Sequence, residues 1–158
     1  MRIGIYPGSF DPVTLGHLDI IERASRMVDT LIIGVLVNGA KSPMFTTEER
    51  VELIKKVTKH LPNVEVVLHQ GMMTDFCKAV NADVMIKSIR NTADLQQVLD
   101  IADVNREYWD GETCFVVGAP QYQHVSSSLV RELVGLNQDI TNFVPAGLAE
   151  EITKLLKN

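Results

Sequence analysis

Two hydrophobic rhythms alternate along this chain. Short β-branched runs predict strands over Arg2–Tyr6, Leu31–Val37, Val64–Leu68, Val84–Lys87 and Thr113–Val117. Between them, apolar residues return every three or four positions, which is the period of a helix with one buried stripe. Leu18, Ile21, Ala24 or Ser25, and Val28 place a helix over His17–Val28. Thr46 and Glu49 form a capping box, a hydroxyl three residues before a carboxylate, that opens a helix running to about His60, with Pro62 closing it. A third helix is predicted over Thr74–Val80. A fourth is capped by Asp94 and carries the stripe Leu95, Val98, Leu99 and Ala102. Leu129, Val130, Leu133 and Val134 mark a fifth, and Pro145 starts a last one whose apolar face is Leu148, Ile152, Leu155 and Leu156.

Strand followed by helix, repeated, is the pattern of an α/β fold: here one domain over residues 1–158, a doubly wound, Rossmann-like, five-stranded parallel sheet with helices on both faces. The run "LIIGVLV" does not alternate polar with apolar, as expected of a strand covered on both sides. Open sheets of this kind bind ligands beyond the carboxyl ends of their strands. The loops to read for chemistry are therefore Pro7–Gly16, Asn38–Met44, Gln70–Met73, Ser88–Asp94 and Gly118–Ser128.

Composition narrows the partners. With 46% hydrophobic and 22% charged residues the chain has a globular composition, and 158 residues suffice for a substantial core. A net charge of −5 without a dense Lys/Arg run argues against nucleic acid as partner, because a duplex binder needs a basic footprint. No apolar run approaches the roughly 20 residues that span a bilayer, so no membrane is expected. Strand-like sequence directly after Met1 leaves no room for a secretory leader and predicts a cytoplasmic protein. Cys77 and Cys114 stand apart, without metal-ligand spacing, and read as free thiols.

The first loop, "YPGSFDPVTLGH", has neither the dinucleotide nor the P-loop glycine pattern. It does combine Gly8, the hydroxyl of Ser9 and a helix start at Gly16-His17. Such a start offers unpaired N–H groups and a positive dipole end to an oxyanion. The same dipole disfavours an imidazolium, which suits His17 to donate a hydrogen bond while neutral. Each feature alone has a plainer reading. Ser126, Ser127 and Ser128 suit a helix cap, Lys41 and Arg90 suit a solvated surface, and Met72-Met73 suits core filling. What sets these residues apart is that all fall on one edge of the sheet.

Taken together, "YPGSFDPVTLGH" and "VSSSLVREL" resemble the T/H-x-G-H and I-S-S-S motifs of bacterial phosphopantetheine adenylyltransferases, within the wider nucleotidyltransferase group. The likeness extends through "FTTEERVELI", "HLPNVEVV" and "ITNFVPAGLAEEI", essentially the whole chain. The resemblance implies transfer of AMP from ATP to 4′-phosphopantetheine, giving dephospho-coenzyme A and pyrophosphate. It implies His17, Lys41 and Arg90 as catalytic residues, with His17 at the α-phosphate and Arg90 on the β and γ phosphates. ATP would also meet Ser9, Phe10, Ser88, Ile89, Val98, Tyr122, Gln123, His124, Val125, Ser126, Ser127 and Ser128. The acceptor would meet Ser9, Lys41, Met73 and Lys87. Mg²⁺, a homohexamer and feedback inhibition by coenzyme A are implied as well.

The chain departs from that pattern where "KSIR", Lys87–Arg90, replaces R-G-L-R or R-G-I-R. Lysine keeps the charge and loses the bidentate fork, and Ser88 adds a side chain where glycine would stand. Val98 replaces a carboxylate near the ribose, and Leu15 replaces an asparagine. The loop after Val37 keeps one of two lysines, and the segment between Trp109 and Phe115 is one residue shorter. Because these losses gather on the nucleotide side, two alternatives stand beside the main one: a nucleotidyltransferase using another nucleotide or phosphorylated acceptor, such as a cytidylyltransferase, and a non-catalytic coenzyme A-binding homologue.

Overall fold

In the computed structural model, which describes residues 1–37 and 42–157, strands β1 (Ile3–Gly8), β2 (Thr30–Val37), β3 (Val64–Gln70), β4 (Val84–Ile89) and β5 (Glu112–Val117) form one sheet. Its order is β3-β2-β1-β4-β5, and every pairing is parallel. Helices α1 (Leu15–Ser25), α2 (Thr47–Thr58), α3 (Met73–Ala79), α4 (Thr92–Arg106), α5 (Ser127–Gly135) and α6 (Ala149–Lys157) complete the alternation. The expected doubly wound α/β arrangement is what the chain adopts.

Strand side chains point alternately to the two faces, so an unbroken apolar strand feeds two cores. Tyr6, Leu31, Ile33, Val35, Ile86 and Val116 bury one way, against Ile20, Ile21 and Ala24 of α1, Leu53 and Ile54 of α2, Val130 and Val134 of α5 and Ile152 of α6. Ile5, Ile32 and Met85 bury the other way, with Cys77 of α3 and Trp109 just beyond α4. The second core is the smaller.

Several boundaries differ from the sequence reading, for identifiable reasons. β1, β3 and β4 run on to Gly8, Gln70 and Ile89, because pairing continues (Gly8 with Val35, Val37 with Gln70, Ile89 with Val117) after the apolar run has ended. α1 begins at Leu15, two residues before His17, since Thr14 supplies its cap. It ends at Ser25 rather than Val28, because the chain must turn so that Asp29 N–H can donate to Arg2 O ahead of β2. Asn91, not Asp94, caps α4. Residues Pro145–Leu148 form a turn, with Leu148 N–H donating to Pro145 O and Gly147 at φ +84°, so α6 starts at Ala149.

The stripe expected to bury α4 behaves differently from the expectation. Ala102 is buried, but Leu95 and Leu99 are 36% and 40% exposed, and Ile101, Val104 and Tyr108 are exposed too. The only buried residues of this helix are Ala102 and Asn105. Of the cysteines, Cys77 is buried and Cys114 partly so, both free thiols.

Candidate active site

The strand order reverses between β1 and β4. β1 hands the chain to α1 on one face and β4 hands it to α4 on the other, which opens a crevice beyond their carboxyl ends. A cavity of about 380 Å³ lies there. β1 supplies Tyr6 and Gly8, α1 supplies Gly16 and His17, and β4 with its following turn supplies Lys87, Ser88 and Arg90. One side of α4 faces in through Asp94, Gln97, Val98 and Ile101, while Tyr122, Val125 and Ser126–Ser128 close the remaining wall.

Ten residues anticipated for the site therefore line one cavity: His17, Lys87, Ser88, Arg90, Val98, Tyr122, Val125, Ser126, Ser127 and Ser128. Ser9, Phe10, Ile89, Met73, Gln123 and His124 do not line it. Phe10 is 2% exposed and held edge-on between the rings of Tyr6 and His17, with centroids 5.6 and 4.9 Å away, so its side chain supports the wall from behind. Ser9 is exposed, and its carbonyl accepts from Arg50 Nη1 at 2.8 Å. Ile89 accepts Gly118 N–H on the sheet edge. Met73 packs on the strands of the second core, beside Gly34. Gln123 and His124 are exposed, and His124 lies edge-on to Phe143. Lys41 lies outside the described residues.

His17 is fixed by an unusual capping box. Thr14 Oγ accepts from His17 N–H at 3.3 Å, and the Thr14 backbone N–H donates back to His17 Nδ1 at 3.1 Å. An imidazole nitrogen that accepts carries no proton, so a neutral His17 must hold its hydrogen on Nε2. Burial, and then the Arg90 charge, lower its pKa to about 4, which keeps it neutral. The pattern T-x-x-H is the capping-box spacing with histidine in the usual Glu/Gln position, and it was legible in the sequence though not read there.

Among the described residues two cations, Lys87 and Arg90, line the cavity. Burial pushes the Lys87 ammonium below its usual range, and among the described residues no carboxylate pairs with it. Arg90 is held firmly. Its Nε and Nη2 donate to Asp94 at 2.9 and 3.3 Å, its backbone N–H donates to the same carboxylate at 3.0 Å, and Nη1 donates to Val125 O at 3.1 Å. Burial raises the Asp94 pKa, but hydrogen bonds and charge from Arg90 outweigh that and hold it below the usual carboxylate range. Tyr6, buried and lifted to about 12 chiefly by that burial, is a neutral phenol 3.5 Å from Ser88 Oγ.

The serine run contributes more backbone than hydroxyl. Ser126 caps α5 by accepting from Leu129 N–H, Ser127 Oγ donates to Pro12 O at 2.7 Å, and Ser128 Oγ accepts from Arg131. The Ser127 and Ser128 N–H groups, at the first two positions of α5, have no partner within the helix and remain to meet an anion. Asp11, behind this wall, accepts from Met44 N–H and Phe45 N–H at 3.0 and 2.9 Å and lies beside Arg131, which ties the first loop to α2 and α5.

The cavity can thus hold a polyanion against helix-start N–H groups and the cations Lys87 and Arg90, with His17, neutral and carrying its proton on Nε2, in its lining. Among the described residues no three His, Cys, Asp or Glu side chains gather to hold a metal ion, and no helix is long and apolar enough to cross a membrane. Asp94, the one carboxylate of the lining, is committed to Arg90. A magnesium ion fits this donor set only as one carried in on the ligand's phosphates.

Comparison with known proteins agrees with this chemistry. A family described as cytidylyltransferase-like matches residues 5–133. A phosphopantetheine adenylyltransferase of Lachnoclostridium phytofermentans is 45% identical over 153 residues, covering 96% of this chain and 94% of that protein. Another, of Clostridium botulinum strain Alaska E43, is 46% identical over 158 residues and 99% of each chain. Among solved structures, a putative nicotinate-nucleotide adenylyltransferase of Vibrio parahaemolyticus superposes with a TM-score of 0.68 at 18% identity, over 100% of this chain and 93% of that one. The Plasmodium falciparum nicotinic acid mononucleotide adenylyltransferase complexed with NaAD also gives 0.68, at 13% identity, over 97% and 95% of the two chains. These two likenesses concern the fold.

Proposed function

This chain belongs to the cytidylyltransferase-like family and, within it, to the phosphopantetheine adenylyltransferases, and on that premise we propose how its cavity transfers AMP from ATP to 4′-phosphopantetheine. The acceptor phosphate is itself a nucleophile near neutral pH, its second pKa lying near 6. One of its oxygens attacks the α-phosphorus, the bond from that phosphorus to the bridging oxygen breaks, and the electron pair leaves with pyrophosphate. Dephospho-coenzyme A is the other product.

What the protein adds is position and stabilisation of charge. The observation that carries this reading is the Thr14–His17 box, which presents a neutral Nε2–H donor at the cavity wall. His17 meets the α-phosphate as its charge develops. Arg90 and the Ser127 and Ser128 N–H groups meet the β and γ phosphates. Lys87, a cation without a carboxylate partner among the described residues, meets the acceptor phosphate, and Lys41 joins it.

Among the described residues the lining offers Lys87 and Arg90 against Asp94, a surplus of one positive charge before Lys41 is added, for a ligand with several negative ones. Magnesium bound with the triphosphate would supply further neutralisation of its charge, and no carboxylate of the described lining is free to hold it, Asp94 being committed to Arg90. The reading extends to a cytoplasmic homohexamer inhibited by coenzyme A. Two exposed apolar side chains one turn apart on α4, Leu95 and Leu99, support assembly, since exposed apolar surface is where contacts between chains form.

The test is pyrophosphate release by purified protein with 4′-phosphopantetheine and magnesium, comparing ATP, CTP and GTP. Release with ATP alone is expected. Release with another nucleotide would reassign the donor, and binding of coenzyme A without release from any nucleotide would mean a non-catalytic homologue.

A further inference from the structure

Asp94 sits in the wall of the cavity one helical turn beyond Arg90, and it touches Arg90 three times. Its Oδ2 accepts from both the backbone N–H and Nε of Arg90, at 3.0 and 2.9 Å, and Oδ1 accepts from Nη2 at 3.3 Å. Backbone and guanidinium of the same residue are thereby clamped by one carboxylate. The Val125 carbonyl holds Nη1 from the opposite wall, at 3.1 Å. Asp94 itself is anchored by its backbone N–H, which donates to Asn91 Oδ1 at 3.0 Å.

A guanidinium has five N–H donors in a rigid plane. Three are taken: Nε–H and one of Nη2 by Asp94, one of Nη1 by Val125. One N–H on each of Nη1 and Nη2 is left, and Arg90 lines the cavity. Asp94 occupies the Nε edge of the plane, so the donors left for a second oxyanion are the remaining N–H groups of Nη1 and Nη2.

Placing a carboxylate there weakens the long-range attraction of Arg90 for a polyanion, so the gain must lie elsewhere. A free arginine side chain has many rotamers, and ordering it on binding costs affinity. Here the ordering is complete before the ligand arrives. We propose that Asp94 is a positioning residue for nucleotide binding, holding Arg90 so that its remaining Nη1 and Nη2 donors receive the distal phosphates of a nucleoside triphosphate. This rests on the adenylyl-transfer reading for the identity of the ligand, while the clamp itself is tested by binding alone.

The experiment compares ATP and AMP binding by calorimetry in the whole protein with Asp94→Ala, Arg90→Ala, the double variant and Gln96→Ala. Loss of Asp94 should weaken ATP binding about tenfold, in the range of coupled neighbouring groups, and leave AMP nearly unchanged, because AMP lacks the phosphates Arg90 would meet. On the Arg90→Ala background the Asp94 effect should vanish. Gln96→Ala removes a contact on the outer side of α4, where Gln96 Nε2 donates to Asp100 Oδ1 at 3.0 Å, without touching Asp94 or Arg90, and the ratio of ATP to AMP affinity should stay put. The proposal is overturned by a loss that persists without Arg90, by an equal loss for AMP, or by the same change of ratio in Gln96→Ala. Failure of pyrophosphate release by the unmodified protein, with the ATP binding pattern intact, would count against adenylyl transfer and leave the clamp standing.

Discussion

Thr14 and His17 exchange hydrogen bonds across the first turn of α1, and the direction of one of them decides which proton His17 carries. The Thr14 backbone N–H can only donate, so Nδ1 accepts and Nε2 keeps the hydrogen. The same exchange caps the helix, which makes one local motif serve both the start of α1 and the chemistry of the cavity. A donor used mainly as charge develops on the α-phosphate lowers the barrier without tightening the ground state. His17→Ala is therefore expected to reduce kcat by about 10²–10³-fold while ATP affinity changes little. Pre-steady-state turnover with parallel ATP binding measures both, and a large loss of affinity at unchanged kcat would remove His17 from that role.

The neutrality of His17 also has a pH signature. Its pKa is lowered to about 4 from an ordinary 6.5, by burial first and by Arg90 second. Between those values the unfolded chain binds a proton that the folded one refuses, so the His17 contribution to stability is fully present above about pH 6.5 and is lost as pH falls toward 4. Carbon-detected NMR of ring-labelled histidine should show no titration of His17 between pH 8 and about 5. A midpoint near 6.5 would mean the ring is open to water or cationic. Denaturation midpoints of His17→Gln should fall less steeply over the same acid range than those of the unmodified protein.

Much of the fold was readable because the strands are apolar on both faces and the helices between them have a clear period. Strand ends were harder, since Ser88, Ile89, His69 and Gln70 belong to strands through their partners' hydrogen bonds and not through their own side chains. α4 misled for a related reason. Its apolar residues keep helical spacing, but the helix turns Asp94, Gln97, Val98 and Ile101 to the cavity and leaves Leu95, Leu99 and Val104 in the open, and periodicity cannot say what an apolar stripe faces. At the site, charged and hydroxylic residues were anticipated by type. Tyr6, Asp94 and Thr14 were passed over, because their part is played through a neighbour across a distance that no spacing in the sequence reveals.

The smaller core sets up a stability test at Gly111. A Cβ built there would lie 1.9 Å from Trp109 Cζ2 and 2.3 Å from Cε2, and Trp109 is buried against Ile5, Ile32 and Met85. The indole cannot swing away without opening that core. Gly111→Ala is expected to cost about 1–3 kcal/mol, the usual penalty for overpacking, seen as a lower midpoint in chemical denaturation together with a changed near-ultraviolet tryptophan signal. Gly135→Ala is the matched control, because nothing lies within 4 Å of a Cβ at that position, and it should not lose stability.

Val98 gives the sharpest test of the nucleotide wall. It lines the cavity between Asp94 and Ile101 on the inner side of α4, at the position where the resemblance drawn from the sequence implies a carboxylate. Restoring that group tightens ATP binding if the ribose hydroxyls lie along this turn. Yet Val98→Glu also sets a second carboxylate four residues from Asp94, where like charges repel by roughly 0.2–0.5 kcal/mol on a helix surface, and it offers Arg90 a competing partner. Val98→Gln separates the two effects, since an amide accepts a hydrogen bond without the charge. ATP affinity is expected to rise in both variants, by about 1 kcal/mol for one added hydrogen bond, and more in Val98→Gln if rivalry for Arg90 matters. A rise confined to Val98→Glu would show that the charge is the useful part, and no rise in either would put the ribose against another wall of the cavity.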